Sequence, residues 1–138
     1  MNNYKYGPAS QRELDSCAEP LQVLADELIK YMDVSVICGH RSDQEQDRLY
    51  REGKSKLKGG KSKHNHKPSL AMDLAPYPYP DEWSRQDMHR LYYMAGMVKG
   101  LAESMGIPVR MGADWDGDGE LADQTFHDVF HVELDTMP

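Results

Sequence analysis

The chain has 138 residues, a formal net charge of -7 and 28% charged residues, and its mean hydropathy is -0.75. That length suits one domain, 1–138, with a core of its own, because a domain of ~150 residues buries roughly 70% of its unfolded surface. No apolar run approaches the ~20 residues of a membrane helix, the opening MNNYKYGPASQRELD lacks the apolar stretch of a secretory signal, and the acidic balance argues against a nucleic-acid binder.

The expected product is therefore made in the cytoplasm, is not inserted in a membrane, and needs a separate route to any target outside. Two cysteines, Cys17 and Cys38, read as small hydrophobes in a reducing compartment, since a cysteine zinc site needs close pairs.

In chain order, Ser10-Gln-Arg-Glu13 reads as a capping box opening a short helix that ends before Pro20. Pro20 suits the first turn of a second helix, along which Leu21, Leu24, Ala25, Leu28, Ile29 and Met32 recur at helical spacing. Val34-Ser-Val-Ile-Cys-Gly39 is β-branched and short, a strand. Ser42-Asp-Gln-Glu45 is a second capping box, for a helix ending near Gly53. The segment from Gly53 to Pro68 is rich in Lys, Gly and Ser, hence a loop. Five of its lysines, Lys54, Lys56, Lys58, Lys61 and Lys63, lie in one run that reads first as a solvated surface and second as a contact for a polyanionic substrate. Leu70 to Ala75 reads as a buried strand, and a proline-rich turn follows. Ser84 caps a long helix stopped by Gly106 and Pro108; Val109 to Met111 is a short strand, and Phe130 to Asp135 alternates with period two. The order predicts an α+β fold, a small antiparallel sheet with helices packed on one face.

Alternation then sorts the chemistry. Phe130, Val132 and Leu134 share one face of the last strand, and His131, Glu133 and Asp135 the other. In the middle strand Asp73 lies between Ala71 and Ala75, opposite Met72 and Leu74. A carboxylate so placed is costly unless it is paired or binds a cation. Asp73 and His131 therefore open together onto the face away from the helices, and a third donor comes from the loop before Asp73, where His64 and His66 are both candidates. Two histidines and one carboxylate make a catalytic zinc set with a position left for water. Asp128, three residues before His131, is the candidate for moving the water's proton, and Arg41 for stabilising an oxyanion or a substrate carboxylate. A rival reading takes His127-Asp128-Val-Phe-His131 as a helical H-E-x-x-H variant, against which the strand-like alternation around His131 weighs. In the acidic stretch before them, Asp114, Asp116 and Asp118 match the opening D-x-D-x-D-G of a calcium loop, although Thr125 stands where a bidentate Glu closes one.

These residues resemble those of the zinc D-Ala-D-Ala carboxypeptidase and L-alanyl-D-glutamate peptidase group, and most nearly its phage endolysins. The group's first motif is roughly S-x-H-x-x-G-x-A-x-D; His66 to Asp73 reads H-K-P-S-L-A-M-D, with Ala71 and Asp73 in register. Asp128-Val-Phe-His131 is similar to the second motif, Gly39-His-Arg-Ser42 to the strand-end G-x-R-S/T, and Gly112-Ala-Asp-Trp115 to an endolysin loop. The resemblance covers nearly the whole chain. It implies a Hedgehog/DD-peptidase-type sheet and one Zn2+ held by His66, Asp73 and His131, with Asp128 as general base and Arg41 as anion stabiliser. Ca2+ is a second expected cation. The motif's serine is replaced by His64 and its glycine by Ser69, although Ser62-Lys-His64 also fits the S-x-H opening. His64 is then a substrate or outer-contact candidate, as is Glu133.

The implied function is a monomeric peptidoglycan endopeptidase that cleaves stem peptides, at L-Ala–D-Glu, in phage-type lysis, reaching the wall through a separate pore. The alternatives are a D-Ala-D-Ala carboxypeptidase or dipeptidase and, from a different class, a non-catalytic metal-stabilised wall-binding module.

Overall fold

The computed structural model describes residues 3–80, 84–112 and 130–135. Four helices, α1 (Pro8–Asp15), α2 (Glu19–Leu28), α3 (Asp43–Arg51) and α4 (Arg85–Met105), accompany four strands, β1 (Val34–Cys38), β2 (Ala71–Pro76), β3 (Val109–Met111) and β4 (His131–Leu134). A 3-10 turn, Lys63–Asn65, interrupts the lysine-rich loop.

Local signals set most of these boundaries. Pro20 falls in the first turn of α2, where a missing N–H costs nothing. The Ser42 and Ser84 hydroxyls accept the Glu45 and Asp87 backbone N–H groups at the starts of α3 and α4. Gly106 ends α4 in the left-handed region, φ 70°, where a side chain would be strained.

One expected cap is absent. Ser10 lies inside α1, whose N-cap is Gly7. The Ser10 hydroxyl instead accepts the Val36 N–H at 3.0 Å, and the Glu13 carboxylate accepts the Gly39 N–H at 3.0 Å. Both side chains that resembled a capping box are used to dock α1 on β1.

The strands form one antiparallel sheet in the order β1-β2-β4-β3. Met72 and Leu74 of β2 and Val132 and Leu134 of β4 enter the core with Leu21, Leu24 and Leu28 of α2 and Leu91, Met94 and Val98 of α4. The helical stripe and strand alternation expected from sequence thus meet, and the fold is α+β as read. The opposite side of β2 is not bare: Ala71 and Ala75 are fully buried. The segment before β2 folds back over it, with Cys17 and Ser69 bridged and the Leu70 N–H donating to Lys63 O at 3.0 Å.

Register places the polar residues. Asp73 pairs with His131 across β2–β4. On the other side the pairing slips, Val36 opposing Leu74 and Cys38 opposing Asp73, so Ile37 is the extra residue of a β-bulge. A bulge re-aims the residues that follow it. Here Cys38 and Arg41, which follow it, lie beside Asp73.

Candidate metal centre

The site is assembled from three segments. The middle of β2 supplies Asp73, the start of β4 supplies His131, and the 3-10 turn supplies His64. The Ser62 hydroxyl accepts from the His64 N–H, and Asn65 reaches back to the Ser62 backbone, a capping box that fixes the turn. His64 is 2% exposed. Its Nε2 lies 3.3 Å from Asp73 Oδ1, and His131 Nδ1 lies 3.3 Å from the same oxygen. The two rings meet edge to face with centroids 5.2 Å apart.

The far side of each ring is also held. His64 Nδ1 lies 2.7 Å from Gly39 O, an acceptor only, so that nitrogen carries a proton and Nε2 is left to face Asp73. His131 Nε2 lies 2.8 Å from Glu133 Oε1, which likewise leaves Nδ1 toward Asp73. Glu133 is buried and is itself countered by Lys63, at 3.1 Å, and by Arg110, at 3.9 Å. Arg41 Nη2 lies 3.6 Å from Asp73 Oδ2 and 3.5 Å from Cys38 Sγ. Cys38 Sγ in turn is 3.8 Å from His64 Nδ1, so Cys38, His64 and Asp73 also form a group close enough to hold a cation.

Electrostatics follow from this crowding. Burial pulls the His64 imidazolium down, but hydrogen bonds to Asp73 and Cys38 and the Asp73 charge outweigh it, and the pKa is pushed up to about 10. Burial likewise opposes charge on His131, and its bonds to Asp73 and Glu133 raise it nonetheless. Burial would raise Asp73, but the two imidazoles hold it well below the usual carboxylate range. Glu133 is also lowered: burial opposes its charge, and hydrogen bonds from His131 and Lys63 prevail. Asp73 thus favours the charged form of both rings, and the Arg41 guanidinium adds positive charge beside it. Two imidazole nitrogens aimed at one half-buried carboxylate, each ring fixed from behind, are what a divalent cation bound through two histidines and an aspartate requires.

Several expected site residues fall here and one does not. Asp73, His131, Arg41 and Glu133 come together. His66 is exposed and its Nδ1 turns to Pro68 O at 3.1 Å, away from the cluster. It is thus His64, and not His66 of the motif register, whose ring lies against Asp73. Nine positions separate His64 from Asp73, two more than in the motif, which is why spacing alone favoured His66. The retained Ser62-Lys-His64 was the available signal. Cys38 and Gln46 were not anticipated as neighbours of the site. Cys17 is buried as expected, whereas Cys38 is half-buried against Arg41. Asp128, His127 and the acidic run with Asp114, Asp116 and Asp118 lie outside the described residues.

An α+β domain whose central strands and preceding turn converge two histidines on one aspartate presents the donor set of a single-cation site. The family of phage L-alanyl-D-glutamate peptidases matches residues 2–135. An L-alanyl-D-glutamate peptidase of Escherichia phage T5 is 30% identical over 139 residues, spanning 96% of this chain and 98% of its own. The crystal structure of the Serratia marcescens L-Ala D-Glu endopeptidase ChiX has the same fold, with a TM-score of 0.71 at 23% identity over 96% of this chain and 92% of that one. The chain belongs to the phage L-alanyl-D-glutamate peptidase family.

Proposed function

We propose that this protein is a zinc-dependent endopeptidase that hydrolyses the L-Ala–D-Glu bond of peptidoglycan stem peptides, with His64, Asp73 and His131 as the metal ligands. The observation that carries the reading is the convergence of His64 Nε2 and His131 Nδ1 on Asp73 Oδ1, at 3.3 Å each, in a member of this peptidase family. Bound there, zinc would supply a Lewis acid that makes hydroxide available near neutral pH.

The chain's own groups do the rest. Asp128, supported by its spacing of three residues before His131, accepts the proton of the attacking water and returns it to the leaving amine as the C–N bond breaks. Arg41, fixed beside Asp73, meets the negative charge that develops on the carbonyl oxygen. Glu133 and Gly39 O hold the two imidazoles in the tautomers that binding needs. Release through a separate pore brings the enzyme to the wall, where the lysines of the loop from Gly53 to Pro68 assist contact with anionic polymer. Ca2+ on Asp114, Asp116 and Asp118 is supported by the D-x-D-x-D-G spacing alone.

The test is mass spectrometry of muropeptides digested by the zinc-loaded protein. Cleavage between L-Ala and D-Glu is expected, with Asp128→Asn retaining zinc and losing activity. Release of terminal D-Ala would point to a carboxypeptidase, and binding without cleavage to a wall-binding module.

A further inference from the structure

Helix α3, DQEQDRLYR, carries two largely apolar side chains, Leu49 and Tyr50, yet the side chain it buries completely is Gln46. Burying an amide is costly unless each polar atom finds a partner. Gln46 finds them all. Its Nε2 donates to Leu57 O at 2.7 Å and to Ser55 Oγ at 2.8 Å, and its Oε1 accepts from Arg41 Nη1 at 2.7 Å. The network fixes the orientation of the amide: Leu57 O can only accept and a guanidinium can only donate, so nitrogen and oxygen cannot be exchanged.

Arg41 is thereby held at both ends. Its backbone N–H donates to His64 O at 2.8 Å and its carbonyl accepts from Asn65 Nδ2 at 2.8 Å. Its head is braced by Gln46 through Nη1, which leaves Nη2 against Asp73 Oδ2 and Cys38 Sγ. An arginine side chain otherwise has enough rotamer freedom to leave this place, and misplacement of a charge-stabilising group by about 1 Å can cost on the order of 100-fold in rate.

We propose that Gln46 is a positioning residue for hydrolysis: its amide oxygen holds the Arg41 guanidinium beside the His64–Asp73–His131 cluster, while its amide nitrogen ties down the lysine-bearing loop. The proposal rests on the role given to Arg41 above. The alternative is that Gln46 only anchors the loop.

The full-length, zinc-loaded protein is assayed on a stem peptide containing the L-Ala–D-Glu bond, as wild type, Gln46→Met, Gln46→Glu, Arg41→Ala and Arg41→Ala/Gln46→Met, with zinc content and Tm measured for each. Gln46→Met is expected to lower kcat about 10- to 100-fold with KM changed less than about 2-fold. Gln46→Glu keeps an acceptor for Arg41 but gives up both donors to the loop, and its kcat is expected within about 3-fold of wild type despite a lower Tm. In the Arg41→Ala background, Gln46→Met should cost nothing further, because residues acting as a unit are not additive. If Gln46→Met does not fold, Gln46→Asn, which withdraws the oxygen while keeping the amide, takes its place in each comparison. Gln46→Glu as slow as Gln46→Met, or losses that multiply in the double variant, would overturn the proposal. An unchanged kcat in Arg41→Ala would instead overturn the reading of Arg41 on which it stands.

Discussion

His64 and His66 are two residues apart and chemically identical, and only one of them reaches Asp73. The difference is made by the 3-10 turn, which buries the His64 ring under Gly39 O and leaves His66 in solvent. His64→Ala should therefore abolish stoichiometric zinc and activity, while His66→Ala keeps both within about 2-fold, as a surface substitution does; metal analysis of the two purified variants decides it, and zinc loss confined to His66→Ala would restore the motif register. Glu133 acts one bond further out, through His131 Nε2. Replacing it by Ala should weaken zinc binding by about 10- to 100-fold, as loss of a ligand's hydrogen-bond partner does. Competition with a chromophoric chelator measures this, and an unchanged affinity would mean that Glu133 serves only to counter Lys63.

At the scale of elements, what could be read in the sequence divides by range. Caps and breakers act within a few residues, so Ser84, Gly106, Pro20 and Ser42 announced α4, α2 and α3 directly. Alternation put Asp73 and His131 on one face because both strands are regular there, and the register pairs them. The bulge at Ile37 is different: it is a property of the β1–β2 pairing, and nothing within VSVIC marks it. For the same reason the Ser10–Glu13 pattern misled, since those side chains serve a strand more than twenty residues away.

The docking of α1 on the end of β1 makes its own prediction. A Cβ on Gly39 would lie 2.1 Å from Glu13 O and 2.4 Å from Ser16 Oγ, and the first of these is backbone that cannot swing aside. Gly39→Ala should destabilise the protein by about 1–3 kcal/mol, lowering Tm by roughly 5–10 °C, and should weaken zinc binding, because Gly39 O orients His64. Gly96, inside α4 with nothing within 4 Å of an added Cβ, is the control. Gly96→Ala should stabilise by about 0.5–1 kcal/mol through helix propensity. Thermal melts of the two proteins test the contrast; equal effects would mean that the α1–β1 contact yields.

For the whole molecule, metal and protons compete for one set of atoms, so the dependence of stability on pH must differ with and without zinc. In the metal-free protein the folded pKa of His64, about 10, stands above its ordinary value of 6.5. The stabilisation this represents is complete below about 6.5 and is lost as pH rises through about 10. Asp73 is shifted the other way, so its contribution is present above its ordinary value of 3.8 and is lost as pH falls below it. The cluster therefore stabilises the metal-free fold most between about pH 4 and 6.5. Zinc requires both imidazoles neutral at the coordinating nitrogen, so binding must expel the proton shared between His64 and Asp73 and part of another from His131. Affinity then rises with pH, and the stabilisation from bound metal, which grows with the ratio of free zinc to Kd, rises with it. Melts at fixed free zinc should show the gap in Tm between loaded and chelated protein widening from pH 6 to pH 9, chiefly because the chelated form weakens. Calorimetry in buffers of different ionisation enthalpy should find more than about one proton released per zinc near pH 7. A gap that stays constant, or a release well below one proton, would mean that His64 and His131 are already neutral in the metal-free fold and that Asp73 is balanced by Arg41 instead.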